Sequence, residues 1–138
     1  MYVFLLHVIG YDVWFYISHL LLHTKYLYKY HKLHHNAKYP VYYDALIASN
    51  EENIFQFLGF FTPYLFYQFC IYQMLAGLAF ISIRGMMRHD NRFIFLIGNH
   101  HLIHHETFNY NFGEYWIDYL FNTHHPDANK KIYGYLYY

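Results

Sequence analysis

Charge is scarce in this 138-residue chain: Asp, Glu, Lys and Arg make up 13% of it, against about 25% in ordinary soluble domains. With 57% hydrophobic and 25% aromatic residues, the chain lacks the groups for a conventional water-covered surface. Nine basic and nine acidic residues cancel, which leaves no electrostatic footprint for nucleic acid. The single cysteine, Cys70, excludes an internal disulfide and a cysteine-rich zinc site. Dinucleotide fingerprints are missing, because "GLAF" and "IRGMM" do not fit G-x-G-x-x-G. Met1 opens into apolar sequence without a basic leader or small-residue cleavage site, so no cleavable signal is expected. At this length one domain, residues 1–138, is expected.

The charge that is present falls in patches. All nine lysines and arginines lie in residues 25–38, 84–92 and 130–131. Residues 1–24 carry only Asp12, and residues 53–83 carry no charge. Uncharged runs of about 18 residues or more read as membrane segments, so the first run is expected to span, or nearly span, a bilayer. The second would measure about 46 Å as one helix, which overshoots a hydrocarbon core of about 30 Å. Pro63, Gln68 and Gln73 predict a break, hence a hairpin of two short helices. A hairpin returns both ends to one side, so residues 19–35 and 89–105 are expected to face the same compartment. All nine basic residues fall on that side, as a cytoplasmic face favours. The expected architecture is an all-α, integral membrane helical bundle.

Against this background the thirteen histidines stand out. In "HLLLH", His19 and His23 are four apart, one face of a helix. "HKLHH" places His31, His34 and His35 at i, i+3 and i+4, and "HLIHH" does the same with His101, His104 and His105. Each box therefore offers two or three imidazoles to a common point. Imidazole is the commonest protein metal ligand and suits iron, zinc, copper and nickel. Eight such ligands exceed the needs of one ion and match two. His7 reads as a packed residue, and His124 and His125 in "NTHHP" as part of a solvated loop. His100, four before His104, can share the patch. Asp12 is costly in an apolar run, so it faces the protein interior, either orienting a ligand imidazole or making an interhelical hydrogen bond.

The run "YDVWFYISHLLLHTKYLYKYHKLHHN" resembles the fatty acid hydroxylase/sterol desaturase superfamily, most of all its sterol C4-methyl oxidases and C5-desaturases. Those proteins carry D-x(6)-H-x(3)-H and then a Y-K-x-x-H-K-x-H-H-like box. Asp12, His19, His23, Lys29, His31, Lys32, His34 and His35 occupy these positions. "NHHLIHH" resembles the family's H-H-x-x-H-H, and "NYNFGEYWIDYLFNT" its ending, with Asp118 in the aspartate position. His89 in "RHDN" sits where the family often has a further ligand. The resemblance covers about residues 11–123. Departures are Asn50 and Glu51 for the usual H-P before the glutamate that Glu52 retains, Asn122 for a glycine, and little sequence before Asp12 where relatives carry extra spans.

What the resemblance implies is a non-haem di-iron oxidoreductase that hydroxylates or desaturates a lipid, sterol or fatty acyl, using O₂ and external electrons. The implied ligands are His19, His23, His31, His34, His35, His89, His101, His104 and His105, holding two iron ions, with zinc as a substitute. No catalytic residue beyond the ligands is implied. A cytochrome b5-type, ferredoxin-type or reductase donor is the implied partner, docking on the basic patch beside the boxes. The implied location is the endoplasmic reticulum or another internal membrane, with the metal site at the cytoplasmic boundary. Oligomeric state stays open, a homo-oligomer included. Two other classes fit parts of the pattern: a histidine-lined metal transport or storage protein, and a catalytically degenerate paralogue or scaffold.

Overall fold

The structure, a computed structural model, describes residues 2–136. Seven helices follow one another: α1 (Tyr2–Leu22), α2 (Tyr28–His31), α3 (Asn50–Phe57), α4 (Ile71–Arg88), α5 (Ile94–Ile97), α6 (His100–Thr107) and α7 (Tyr115–Leu120). Short 3₁₀ runs join them, and no strand element occurs among the described residues. The expected all-helical class is the observed one.

α1 is the wall on which the rest is built. Its buried face carries the polar His7, Asp12, Ser18 and His19 among Tyr11, Phe15, Tyr16 and Leu22, while Leu5, Ile9, Val13 and Ile17 lie exposed at i, i+4 spacing. Polar groups inside and aliphatic groups outside is the pattern of a helix facing lipid. Val3–Leu22 is the one helix among the described residues long and apolar enough to cross a membrane. The multi-pass bundle expected from the sequence is thus reduced to a single candidate span. α4 has 18 residues, but Gln73, Arg84 and Arg88 lower its hydropathy.

The hairpin exists, with its break at residues 66–70, inside the window marked by Pro63, Gln68 and Gln73. α3 runs into a 3₁₀ segment, Leu58–Leu65, and the chain turns over residues 66–70 before α4. Pro63, expected to break the helix, lies inside the first leg. Proline has no N–H for the carbonyl four residues back. The leg continues past it as a 3₁₀ segment, in which the Thr62 hydroxyl donates to that carbonyl, Gly59 O, at 2.5 Å. Tyr11 and Phe15 of α1 pack with Phe60 and Ile81 from the two legs. On the other side, Tyr16 of α1 packs with Phe112 and Ile117. His19 lies between these two clusters.

A buried charge network links the same elements. Asp12 pairs with both terminal nitrogens of Arg84, Arg84 reaches Glu114 at 3.4 Å, and Arg88 donates to Glu114 at 2.5 Å. Asp12 therefore makes the interhelical contact rather than touching an imidazole. Arg84 and Arg88, counted from sequence among the basic residues of one face, are paired with carboxylates, Arg84 buried and Arg88 nearly so. The C-terminal segment closes over α5: Tyr135 N–H donates to Phe95 O (3.0 Å) and Leu136 N–H to Leu96 O (2.8 Å). Glycine permits this crossing, because a Cβ on Gly134 would lie 2.3 Å from Gly98 N.

Candidate metal centre

The nine histidines singled out by sequence come together as two groups. His19, His23, His31, His35 and His104 form the first, and His34, His89, His101 and His105 the second. Within each group the ligand nitrogens all lie within 4.8 Å of one another. The groups adjoin, with the His35 and His105 rings 4.6 Å apart between centroids.

The boxes do not each serve one point, as the sequence reading expected. They are divided. In the second box the i, i+4 pair His31 and His35 joins the first group, while His34 joins the second. In the third box the pair His101 and His105 joins the second group, while His104 crosses to the first. Successive helical residues point about 100° apart, so the adjacent positions i+3 and i+4 cannot aim at the same ion. The second box is not one helix either. α2 ends at His31 and a 3₁₀ turn covers His34–Asn36, but Lys32 and Leu33 keep right-handed helical dihedrals, and the division is preserved.

Hydrogen-bond accounting shows that these groups fit a cation. His19 Nδ1 lies 2.5 Å from Phe112 O, and His31 Nδ1 lies 2.7 Å from Glu52 Oε1. A carbonyl oxygen only accepts, and so does Glu52 once ionised, although burial raises its carboxyl to about 8; with Glu52 ionised, each Nδ1 carries the proton and each Nε2 presents a lone pair. Those two Nε2 atoms are 2.9 Å apart. Two lone pairs at that distance repel; a positive ion between them turns the contact attractive. The second group repeats the situation. His34 Nδ1 donates to Ile47 O (3.2 Å), His89 Nδ1 donates to Gly85 O (2.6 Å), and their Nε2 atoms face each other at 3.0 Å. His105 donates from Nδ1 to Ala37 O, and its buried Nε2 has no hydrogen-bond partner. Oxygen acceptors behind the imidazoles are what fix tautomer and ring direction in metal sites.

Two of those acceptors come from the loop "NYNFG", whose role the sequence reading missed. Tyr110 O receives His104 Nδ1 (2.7 Å), and Phe112 O receives His19 Nδ1. The fully buried Asp118 holds the loop in place by accepting from Phe112 N (2.9 Å), Gly113 N (2.7 Å), Thr123 Oγ1 (2.6 Å) and His100 Nε2 (3.0 Å). His100 thus supports the loop and joins neither group. The buried Asn111 adopts a left-handed backbone (φ 60°), donating to His100 O and accepting from His125 N. Clustered asparagines beside a glycine were the available signal for such a turn.

A cavity of about 310 Å³ opens between α1 and the hairpin. Tyr11, Phe15, Phe57, Phe60 and Ile81 form its apolar wall, and its floor reaches His19 and His31 of one group and His34 and His89 of the other. An apolar cleft ending on a few convergent polar groups is the usual form of a small-molecule site.

Sequence comparison now adds its own evidence. The fatty acid hydroxylase family model matches residues 4–123. The chain belongs to the fatty acid hydroxylase family. Among curated proteins it is 31% identical, over 87% of its length, to a methylsterol monooxygenase of Aspergillus fumigatus, of which the match covers 47%. It is 30% identical, over 75% of its length, to a Delta(7)-sterol 5(6)-desaturase of Schizosaccharomyces pombe, of which the match covers 37%. The chain therefore spans less than half the length of these relatives. No solved structure matches it.

In this fatty acid hydroxylase family member, burial keeps the imidazoles neutral. It lowers His23 and His34 to about 4 and His105 to about 3, with neighbouring imidazoles adding to the burial effect at His23 and His105. Neutral imidazole is the ligating form. The substitution of Asn122 for the family's glycine also has a structural reason: its φ is 56°, and asparagine is the side-chain-bearing residue that best tolerates that region. The remaining histidines stand apart from both groups. His7 is buried against Tyr64, as expected of a packed residue. His125 is buried rather than solvated, because Asn111 accepts its backbone N–H, and His124 stacks on Tyr119.

Proposed function

We propose that this chain is the metal-binding part of a membrane-bound oxidoreductase that hydroxylates or desaturates a lipid, using O₂ and electrons from an external donor. One observation carries the reading: two adjoining all-imidazole groups, each with facing lone pairs, form the floor of an apolar cavity. The named relatives, a sterol monooxygenase and a sterol desaturase, support a sterol or related lipid as substrate. The nine histidines are the proposed ligands. A set of five exceeds the tetrahedral preference of structural zinc, and oxidation of an unactivated C–H bond needs a redox metal, which favours two iron ions. When bound, that pair supplies the oxidising chemistry.

The chain's own residues do the rest. Carbonyls of Phe112, Tyr110, Ile47, Gly85 and Ala37 and the carboxyl of Glu52 keep the imidazoles aimed, while burial keeps them neutral. Phe15, Phe57, Phe60 and Ile81 position the lipid by shape and exclude water from the reacting carbon. Leu5, Ile9, Val13 and Ile17 on the outer face of α1 would lie against membrane lipid. Electrons enter by His23, the one member of either group that is not fully buried. In the sequence that follows it Lys25, Lys29, Lys32 and Lys38 are exposed, with no acidic residue between Asp12 and Asp44, a stretch suited to an acidic donor. The charge pattern supports a cytoplasmic position for this surface.

Membranes carrying the full chain, given NADPH, a reductase system, sterol or acyl lipids and isotopically heavy dioxygen, provide the test. Heavy oxygen in a new hydroxyl is the result expected for hydroxylation, and O₂-dependent loss of two hydrogens for desaturation. Metal-loaded chain that converts neither lipid class would reject the oxidase reading and leave a scaffold.

A further inference from the structure

One tight turn in the chain is built on an unexpected residue type. Among the described residues, positive φ occurs at Gly98, Asn111 and Asn122, types that tolerate it, and at Phe108 (φ 64°). A bulky side chain in that region is an outlier. Phe108 caps α6 with ψ −27°, and its N–H donates to His104 O at 2.7 Å. The next N–H, that of Asn109, donates to Thr107 O at 2.8 Å. This closes a three-residue turn centred on Phe108, of the γ kind that is rare and strained. Strained residues persist where the surrounding structure over-determines them, and they gather at functional sites.

The ring carried by that turn lies on His35, with centroids 4.7 Å apart. His35 Nε2 is 3.1 Å from Nε2 of both His23 and His104, so Nε2 is the atom it would offer an ion and Nδ1 carries the proton. Six of the nine proposed ligands have an oxygen acceptor behind Nδ1. The buried Nδ1 of His35 has no hydrogen-bond partner, a condition it shares with His101. The last torsion of an imidazole side chain is broad, so the ring direction of His35 must be fixed by packing. The other rings against it are imidazoles of proposed ligands. Among the described residues, Phe108 supplies the one carbon ring on it.

We propose that Phe108 is a positioning residue for His35, its strained turn pressing the ring onto an imidazole that no hydrogen bond aims; this rests on the metal-binding reading above. Glycine at 108 would then relax the turn and loosen the metal at once. A residue that merely packs would not show that opposition.

The test uses the full chain in detergent with cobalt(II), which accepts more ligands than the tetrahedral set of structural zinc. Phe108→Gly and Phe108→Ala should each bind the ion that His104→Ala removes about tenfold or more weakly, with the other ion unchanged. Phe108→Tyr, which keeps the ring, should bind both as the wild type does. Melts of the metal-saturated variants read the turn: both small variants lack the ring, and glycine should melt about 3 °C or more above alanine. Phe108 is only half-buried, so a glycine variant that does not fold would assign it to the fold and overturn the positioning role. Unchanged affinity in the small variants, equal weakening of both ions, or failure of tyrosine to rescue would also overturn it. A glycine variant no more stable than the alanine one would overturn the strained turn. If the wild type binds no cobalt, the metal-binding reading itself fails, a result distinct from all of these.

Discussion

The two histidine groups are neighbours built from the same boxes, yet they are not equivalent. The second is closed: its four imidazoles are buried, and the identified acceptors behind them are neutral backbone carbonyls. The first has five imidazoles, one of them half-exposed, and one of its acceptors is the carboxylate of Glu52. A carboxylate behind an imidazole raises its basicity more than a carbonyl does. A metal pair held this way would be asymmetric, with one ion enclosed and the other beside a carboxyl and a partly exposed imidazole. Under the proposed function, that difference would let electrons arrive at the first group while the cavity reaches both.

The comparison breaks most severely when one group is removed. His34→Ala is expected to cost the second ion and His104→Ala the first. Metal analysis of the purified protein would then fall from about two ions per chain to about one. Unchanged stoichiometry in both variants would refute the assignment. Acid should act on both groups. Because burial holds His23 and His34 near 4, the unfolded chain binds protons first as pH falls below about 6.5. Stability is therefore full above that value and declines as pH drops towards about 4, with metal released over the same window. Thermal melts and metal release followed against pH read this directly.

Smaller changes sharpen the difference. Asp118→Ala removes four hydrogen bonds from a fully buried acceptor and should destabilise the fold by about 3 kcal/mol or more. Its effect on metal retention should fall mainly on the first group, whose His19 and His104 depend on the loop. Glu52→Gln keeps an oxygen acceptor but removes the charge, so it is expected to weaken metal binding in the first group by about 10–100-fold and spare the second. Competition with a calibrated chelator would detect equal weakening of both, the result that denies the asymmetry. Smallest of all, Lys25→Glu with Lys29→Glu should slow reduction by an acidic donor at low salt and have little effect at high salt.

Much of this was legible in the sequence. The spacing of His19, His23, His31, His34, His35, His101, His104 and His105, with His89 from the resemblance, named the residues that the fold gathers into two groups. Their division between groups was not legible as written, although the roughly 100° step between i+3 and i+4 contains it. The loop carbonyls were invisible because a backbone oxygen has no residue identity; only the Asn-rich turn hinted at them. Arg84 and Arg88 misled for the opposite reason. Charged residues are almost never fully buried unless paired, and their pairing spans residues 12–114. The hairpin break was legible too: it falls at residues 66–70, around Gln68, with Pro63 accommodated in the 3₁₀ segment just before it.

The divided boxes have a consequence for the chain as a polymer. Each proposed ion fastens distant segments: the first joins His19 to His104, 85 positions apart, and the second joins His34 to His105, 71 positions apart. With one cysteine, the chain can form no disulfide of its own, yet it gains two cross-links that close loops of this size. In the chain-entropy model a single covalent closure of such a loop restricts the unfolded chain by about 4–5 kcal/mol. These fasteners are indifferent to the redox poise that would cleave a disulfide, and a chelator opens them instead. Metal supply would then govern the folding of the chain as well as its chemistry, and starvation for metal would leave unfolded polypeptide rather than an idle enzyme.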